Sequence, residues 1–164
     1  MANKTEIIAE PGKQELFIKR EFDAPRELVF KAYTDPDILI KWLGPRDLTM
    51  TIEQWEPRDG GSYKYTHERG GHKYAFFGVN HEILEPERII GTFEFDGLPE
   101  RGHVILGITN FEELPDGRSR LVHQSVFRSV EDRDGMIASG MERGVSEGYE
   151  KLDELLAKSQ GAAA

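Results

Sequence analysis

Between Leu48 and Phe127 apolar and polar residues alternate with a period of two, interrupted only by turn-forming clusters: Asp59-Gly60-Gly61, Gly70-Gly71, Glu85-Pro86-Glu87, Gly97-Leu98-Pro99 and Pro115-Asp116-Gly117. These five breaks divide the run into six strands. Connections this short join antiparallel neighbours, because a parallel crossover needs about a dozen residues or more. An earlier segment, Gln14 to Phe22, alternates in the same way and sets Leu16, Ile18, Arg20 and Phe22 on one face. The expectation is one antiparallel sheet of about seven strands with an apolar face that needs a cover.

Helical spacing supplies the cover. Asp23 is placed to cap a helix with Pro25 in its first turn, and Leu28, Val29, Ala32 and Tyr33 follow as far as Thr34-Asp35-Pro36. A second short helix, Asp37 to Leu43, stops at Gly44-Pro45. The longest helical pattern, Met136 to Leu156, follows Ser129 or Asp132 as its cap. At about 100° per residue its apolar arc comprises Ile137, Met141, Val145, Leu152, Leu155 and Leu156. Gly144 and Gly148 fall within that arc and Gly140 at its edge, so the spacing predicts that the glycines face the sheet. Each costs a helix about 1 kcal/mol relative to alanine. Two readings offset the cost: close helix-sheet packing, or room for a ligand.

The chain of 164 residues suits a single domain, here 14–158 between tails at 1–13 and 159–164. Its 21 basic and 30 acidic residues give a net charge of -9, which argues against nucleic acid and anionic membrane as partners. No apolar run approaches the roughly 18 residues needed to span a bilayer, and no apolar core of a secretory signal opens the chain, so a cytoplasmic protein is expected. The absence of cysteine removes disulfides, thiolate ligands and a cysteine nucleophile.

Few residues point to chemistry. His67, His72, His81, His103 and His123 lack metal-ligand spacing, so no metal or other cofactor is expected. No Gly-x-Ser-x-Gly elbow, phosphate loop or carboxylate pair is present, and no catalytic residue can be named. Arg20, inward by strand parity, needs a partner: a carboxylate of this chain or a ligand anion. His123, in step with Leu121, Ser125 and Phe127, is either a core histidine or a polar group that orients a ligand. The aromatics, Phe77, Phe93, Phe111 and Phe127 among them, fill a core or line an apolar pocket.

Several of these segments together resemble a known family. Arg20-x-Phe22-x-Ala24-Pro25, Val29-Phe30-x-Ala32-x-Thr34-Asp35-Pro36, Trp42-x-Gly44-Pro45, Gly60-Gly61, Glu82-Ile83-x-x-Pro86-Glu87-Arg88-Ile89 and Gly140-Met141-x-x-Gly144 ahead of Leu152-x-x-Leu155-Leu156 occur in one order over Gln14 to Ala157. The chain is similar to the START-like (SRPBCC) superfamily, in the branch of homologues of the heat shock protein 90 ATPase activator. The resemblance implies an α+β helix-grip fold, a curved antiparallel sheet around the C-terminal helix with an elongated cavity between them. It also implies that the small helices lie near the cavity mouth, with Trp42 as part of a gate.

The leading expectation is non-enzymatic binding of a small hydrophobic or amphipathic molecule. The expected contacts are Arg20, Trp42, Phe77, Phe93, Phe111, His123, Phe127, Met141, Gly144, Val145 and Gly148. The branch name adds a chaperone-associated or regulatory interaction protein with a part in stress response, and the superfamily adds a cyclase- or aromatase-like enzyme. A homodimer is compatible with all three.

Overall fold

The computed structural model describes residues 3–163. Eight antiparallel strands form one sheet in the order β1-β2-β8-β7-β6-β5-β4-β3. They are β1 (Glu6–Ile8), β2 (Glu15–Phe22), β3 (Thr49–Trp55), β4 (Ser62–Arg69), β5 (His72–Leu84), β6 (Arg88–Phe95), β7 (Ile105–Leu114) and β8 (Arg118–Val126). Strands β3 to β8 are consecutive neighbours, the meander that the five turn clusters demand. The first long strand, β2, returns to pair with the last, with Leu16 opposite Ser125 and Ile18 opposite His123. Helices α1 (Arg26–Thr34) and α2 (Pro36–Leu39) lead from β2 to β3, and α3 (Val130–Ala138) and α4 (Met141–Ala163) end the chain. Among the described residues no helix is long and apolar enough to cross a membrane.

The sheet closes over α4. Leu16, Ile18 and Phe22 of β2, Phe111 of β7 and Leu121 of β8 are buried with Val29, Phe30 and Ala32 of α1 and Tyr149, Leu152 and Leu156 of α4. This is the helix-grip arrangement, and burying a large apolar side chain of this kind contributes about 1.5–3 kcal/mol. Arg20 is only 2% exposed within that layer. Its guanidinium donates to both carboxylate oxygens of Asp153 on α4, at 3.0 and 2.6 Å, and lies 5.0 Å from the centre of the Phe22 ring. The partner required by strand parity is thus a carboxylate of this chain.

The terminal helices differ from the single helix that the spacing predicts. Gly140 has φ +85°, a left-handed conformation that ends α3 and lets α4 start in a new direction. Gly144 and Gly148 do not face the sheet. A Cβ on Gly148 would lie 3.0 Å from the carbonyl oxygen of Trp42 and 3.4 Å from the Gly44 nitrogen, and one on Gly144 would lie 3.5 Å from Pro45 Cδ. On its other side Gly44 presses on β4, where a Cβ would lie 2.7 Å from the His67 ring. The Trp42–Pro45 segment is therefore wedged between α4 and β4, and the helix glycines admit it. Close packing offsets their helix cost, but against a loop rather than a sheet.

Other differences are local. The expected tail 1–13 contains β1, which pairs with β2 over Glu6–Ile8. Behind it the buried Arg133 of α3 donates to the carbonyls of Glu10 and Glu15. At the other end α4 continues beyond residue 158 to Ala163. Helix α2 is shorter than Asp37 to Leu43 because turn hydrogen bonds take over after Leu39. Asp23 caps no helix; its carboxylate accepts from Arg118, and Pro25 occupies the cap position of α1. Ser129 does cap α3, accepting from the Asp132 amide at 3.1 Å.

These contacts predict different outcomes for identical substitutions. Gly144→Ala meets only ordinary contact and raises stability by about 1 kcal/mol, a rise in Tm of roughly 2–4 °C. Gly148→Ala gains less than Gly144→Ala because the Trp42 carbonyl must give way, and Gly140→Ala loses roughly 1–2 kcal/mol to its left-handed backbone. Thermal melts of the three variants check the order. Asp153→Ala strands the Arg20 guanidinium and costs roughly 3 kcal/mol in urea denaturation, whereas the double variant Arg20→Met with Asp153→Leu recovers much of that loss.

Candidate functional site

Strand pairing places four inward positions in one row across the sheet: Asn80 of β5 opposite Gly91 of β6, Gly91 opposite Gly107 of β7, and Gly107 opposite Ser125 of β8. The two middle positions have no side chain, so the row forms a floor below the level of the residues around it. Above this floor lies a cavity of about 400 Å³, within the range of small-molecule sites. Ile89 and Phe93 of β6, Ile105 of β7 and Phe127 flank the glycines, while Met136 of α3 and Met141, Val145 and Tyr149 of α4 form the roof. Tyr33 and Leu39, with Trp55, Tyr63 and Tyr65, close the side nearest the small helices.

Polar groups in this apolar shell are mostly engaged with one another. Thr109 Oγ1 lies 2.7 Å from His123 Nδ1, and Ser125 Oγ lies 2.8 Å from His123 Nε2. The Tyr33 and Tyr149 hydroxyls are 2.7 Å apart, and Tyr63 donates to the Thr92 carbonyl at 2.6 Å. Asn80 Nδ2 donates to the Glu56 carbonyl at 2.9 Å. Burial raises the Tyr63 hydroxyl well above its ordinary range, and it raises the Tyr149 hydroxyl to about 12, against the lowering effects of its Tyr33 hydrogen bond and Arg20. His123 moves the other way. Its exposed surface faces the cavity rather than bulk water, and the loss of hydration lowers its pKa to about 4, so the imidazole is neutral at physiological pH.

The expected contacts separate into two groups. Phe93, His123, Phe127, Met141 and Val145 line the cavity. The other six do not. Arg20 lies beneath α4 with both terminal nitrogens on Asp153. Trp42 is buried rather than gating a mouth, with its indole N–H on the Ala32 carbonyl at 2.9 Å and its ring stacked on Tyr149. Phe111 packs edge-on against Phe30 and Tyr33 in the core. Phe77 lies on the outer face under the Arg101 guanidinium, because Phe76, one residue earlier, carries the inward parity. Gly144 and Gly148 serve the wedged loop. Asn80, Gly91, Gly107, Thr109 and Ser125 join the site without having been expected. A signal for two of them is visible in the patterns Ile89-x-Gly91-x-Phe93 and Ile105-x-Gly107-x-Thr109, where an inward glycine interrupts a long strand.

The comparisons with known proteins agree with this architecture. Residues 23–157 match the sequence profile of the family described as Activator of Hsp90 ATPase homolog 1-like protein. This chain belongs to that family. Solved structures of bacterial proteins share its fold. A crystal structure from Rhodobacter sphaeroides is 28% identical, with a TM-score of 0.83 over 93% of this chain and 99% of that one. Protein Ms6760 from Mycobacterium smegmatis is 26% identical, with a TM-score of 0.83 over 94% and 97% of the two chains. A solution structure from Arthrobacter aurescens is 27% identical, with a TM-score of 0.83 over 93% and 91%. No curated protein matches the chain in sequence. Membership of the activator-homologue family supports a ligand-binding or regulatory role in general terms.

The neutral His123 gives the site a pH signature. Its folded pKa of about 4 lies below the ordinary value of 6.5, so between those values the unfolded chain binds a proton that the folded chain does not. Its contribution to stability is complete above pH ~6.5 and is lost as pH falls through ~4, by up to about 3 kcal/mol. His67 titrates in the same sense and His103, beside Asp132, in the opposite one. Comparison with His123→Gln, which keeps a donor and an acceptor, subtracts both. Urea denaturation from pH 7 to pH 4 is therefore expected to show a steeper loss for the wild type than for the variant.

Proposed function

We propose that this chain binds a small hydrophobic or amphipathic molecule in the cavity between α4 and the sheet, and that its role is binding rather than turnover. The observation that carries this reading is the cavity itself: about 400 Å³ held open over a glycine floor, roofed by Met141 and Val145, with a few convergent polar groups. Interiors are normally packed to near crystal density, so an apolar recess of this size between helix and sheet departs from ordinary core packing. The polar groups support binding over chemistry, since both nitrogens of His123 are already engaged by hydroxyls of the protein.

A thermal-shift panel of lipids and polyketides tests the reading. A ligand at 100 times its Kd stabilises the folded chain by about 2.7 kcal/mol, which raises Tm by roughly 5–10 °C for a domain of this size. Val145→Trp, which places an indole in the cavity, is expected to abolish that shift while the protein stays folded. Failure of every compound to shift the wild type, with no bound species in native mass spectrometry, would sink the proposal.

A second reading is a chaperone-associated regulatory partner. The description of the family favours it, and the net charge of -9 suits a basic partner surface. A stoichiometric chaperone complex in pull-down from lysate is its expected outcome, and Val145→Trp would leave that complex intact.

A further inference from the structure

The residues lining the cavity include Asn, Ser, Thr, Tyr and His but, among the described residues, no Asp, Glu, Lys or Arg. The inward cation nearest in pattern, Arg20, is consumed by Asp153. A carboxylate or phosphate drawn into this space would lose its hydration and meet no countercharge.

Two polar groups overhang the glycine floor. The Asn80 amide oxygen lies 3.5 Å from the point where a Cβ on Gly91 would sit, and His123 Cε1 lies 3.2 Å from the corresponding point on Gly107. Asn80 is only 9% exposed and its nitrogen is spent on Glu56, which leaves its oxygen as an acceptor on the cavity side. The Thr109–His123–Ser125 chain supplies the complementary donor. A neutral imidazole has one N–H and one lone pair, so one of the two hydroxyls donates to it and the other accepts from it. The hydroxyl that accepts keeps its own proton free to donate. This holds whichever tautomer is present, and both hydroxyl oxygens retain a lone pair.

We infer that the cavity selects an uncharged ligand that carries a hydroxyl or carbonyl group, held between the Asn80 amide and the Thr109–His123–Ser125 chain, and that it rejects fatty acids and other anions of the same length. The inference rests on the ligand-binding reading above and names the chemistry of its ligand. The depressed pKa of His123 agrees, because a ring that stays neutral offers no charge to an anion.

The test uses two probes with the same chain length and different head groups, 1-decanol and decanoate, titrated into isotopically labelled protein at about pH 7.5, where the carboxylate is ionised. The amide signals of Gly91 and Gly107 report the floor. Decanol is expected to bind at least about tenfold more tightly than decanoate, since only the anion must be stripped of water without a partner. In Thr109→Val with Ser125→Ala the affinity for decanol falls about fivefold for each hydrogen bond lost, and the response to decanoate is unchanged. Equal affinity for the two probes, or preference for decanoate, overturns the inference and leaves ligand binding standing. Decanol affinity unchanged in the folded double variant overturns the role of the hydrogen-bonded chain. No response to either probe at any floor signal overturns the ligand-binding reading, and the inference with it. The wild-type comparison of the two probes decides the matter of charge without any variant.

Discussion

A buried guanidinium cannot be left unpaired, and in this fold that single requirement orients the gripping helix. Arg20 projects into the apolar layer because its strand alternates, and only a carboxylate brought down from α4 closes the pair. Asp153 does so through two parallel hydrogen bonds, which fix rotation as well as position. With Asp153 turned toward β2, Tyr149, Leu152 and Leu156 enter the core on the same side of the helix, and Met141 and Val145, nearer its start, face the cavity. The pair is thus a rotational stop, and the identity of the cavity roof follows from it.

The opposite flank of α4 is set by backbone contact rather than charge. The Trp42–Pro45 segment lies between Gly148 and His67, close enough that a methyl group on Gly148 would press on it. Trp42 then stacks on Tyr149, whose hydroxyl meets that of Tyr33. The two small helices are joined in this way to the long one, and that end of the space between sheet and helix is filled by protein. The remaining space lies over Gly91 and Gly107 and is bounded on this side by Leu39, Leu43 and Trp55.

Much of the architecture could be read from residue patterns because its signals are local. Alternation and turn clusters locate every strand from β2 to β8, and the parity of β2 alone puts Arg20 inside. What could not be read depends on relations between distant segments. Helical phase places Gly144 and Gly148 among apolar residues, but only the tertiary path of the Trp42–Pro45 loop shows what lies against them. Phe76 and Phe77 are indistinguishable by type, and one step of parity decides which of them is inward. Strand β1 has three residues, too few for alternation to be seen, and is held by pairing with β2, while Arg133 of α3 ties down the segment that follows it. The floor needs inter-strand register: Gly91 and Gly107 each mark an interrupted strand, but only pairing sets them side by side between Asn80 and Ser125.

The glycines of α4 and those of the sheet floor have different duties. Those of α4 tighten a joint between helix and loop, and those of the sheet leave volume unfilled. A methyl group on Gly91 would lie 2.8 Å from the Val79 carbonyl oxygen and one on Gly107 would lie 3.2 Å from the His123 ring, so a larger floor residue would disturb the sheet and the hydrogen-bonded histidine as well as shrink the chamber. At the floor, capacity and durability are written in the same positions, so a lineage that shrinks the chamber there must also rebuild what holds it.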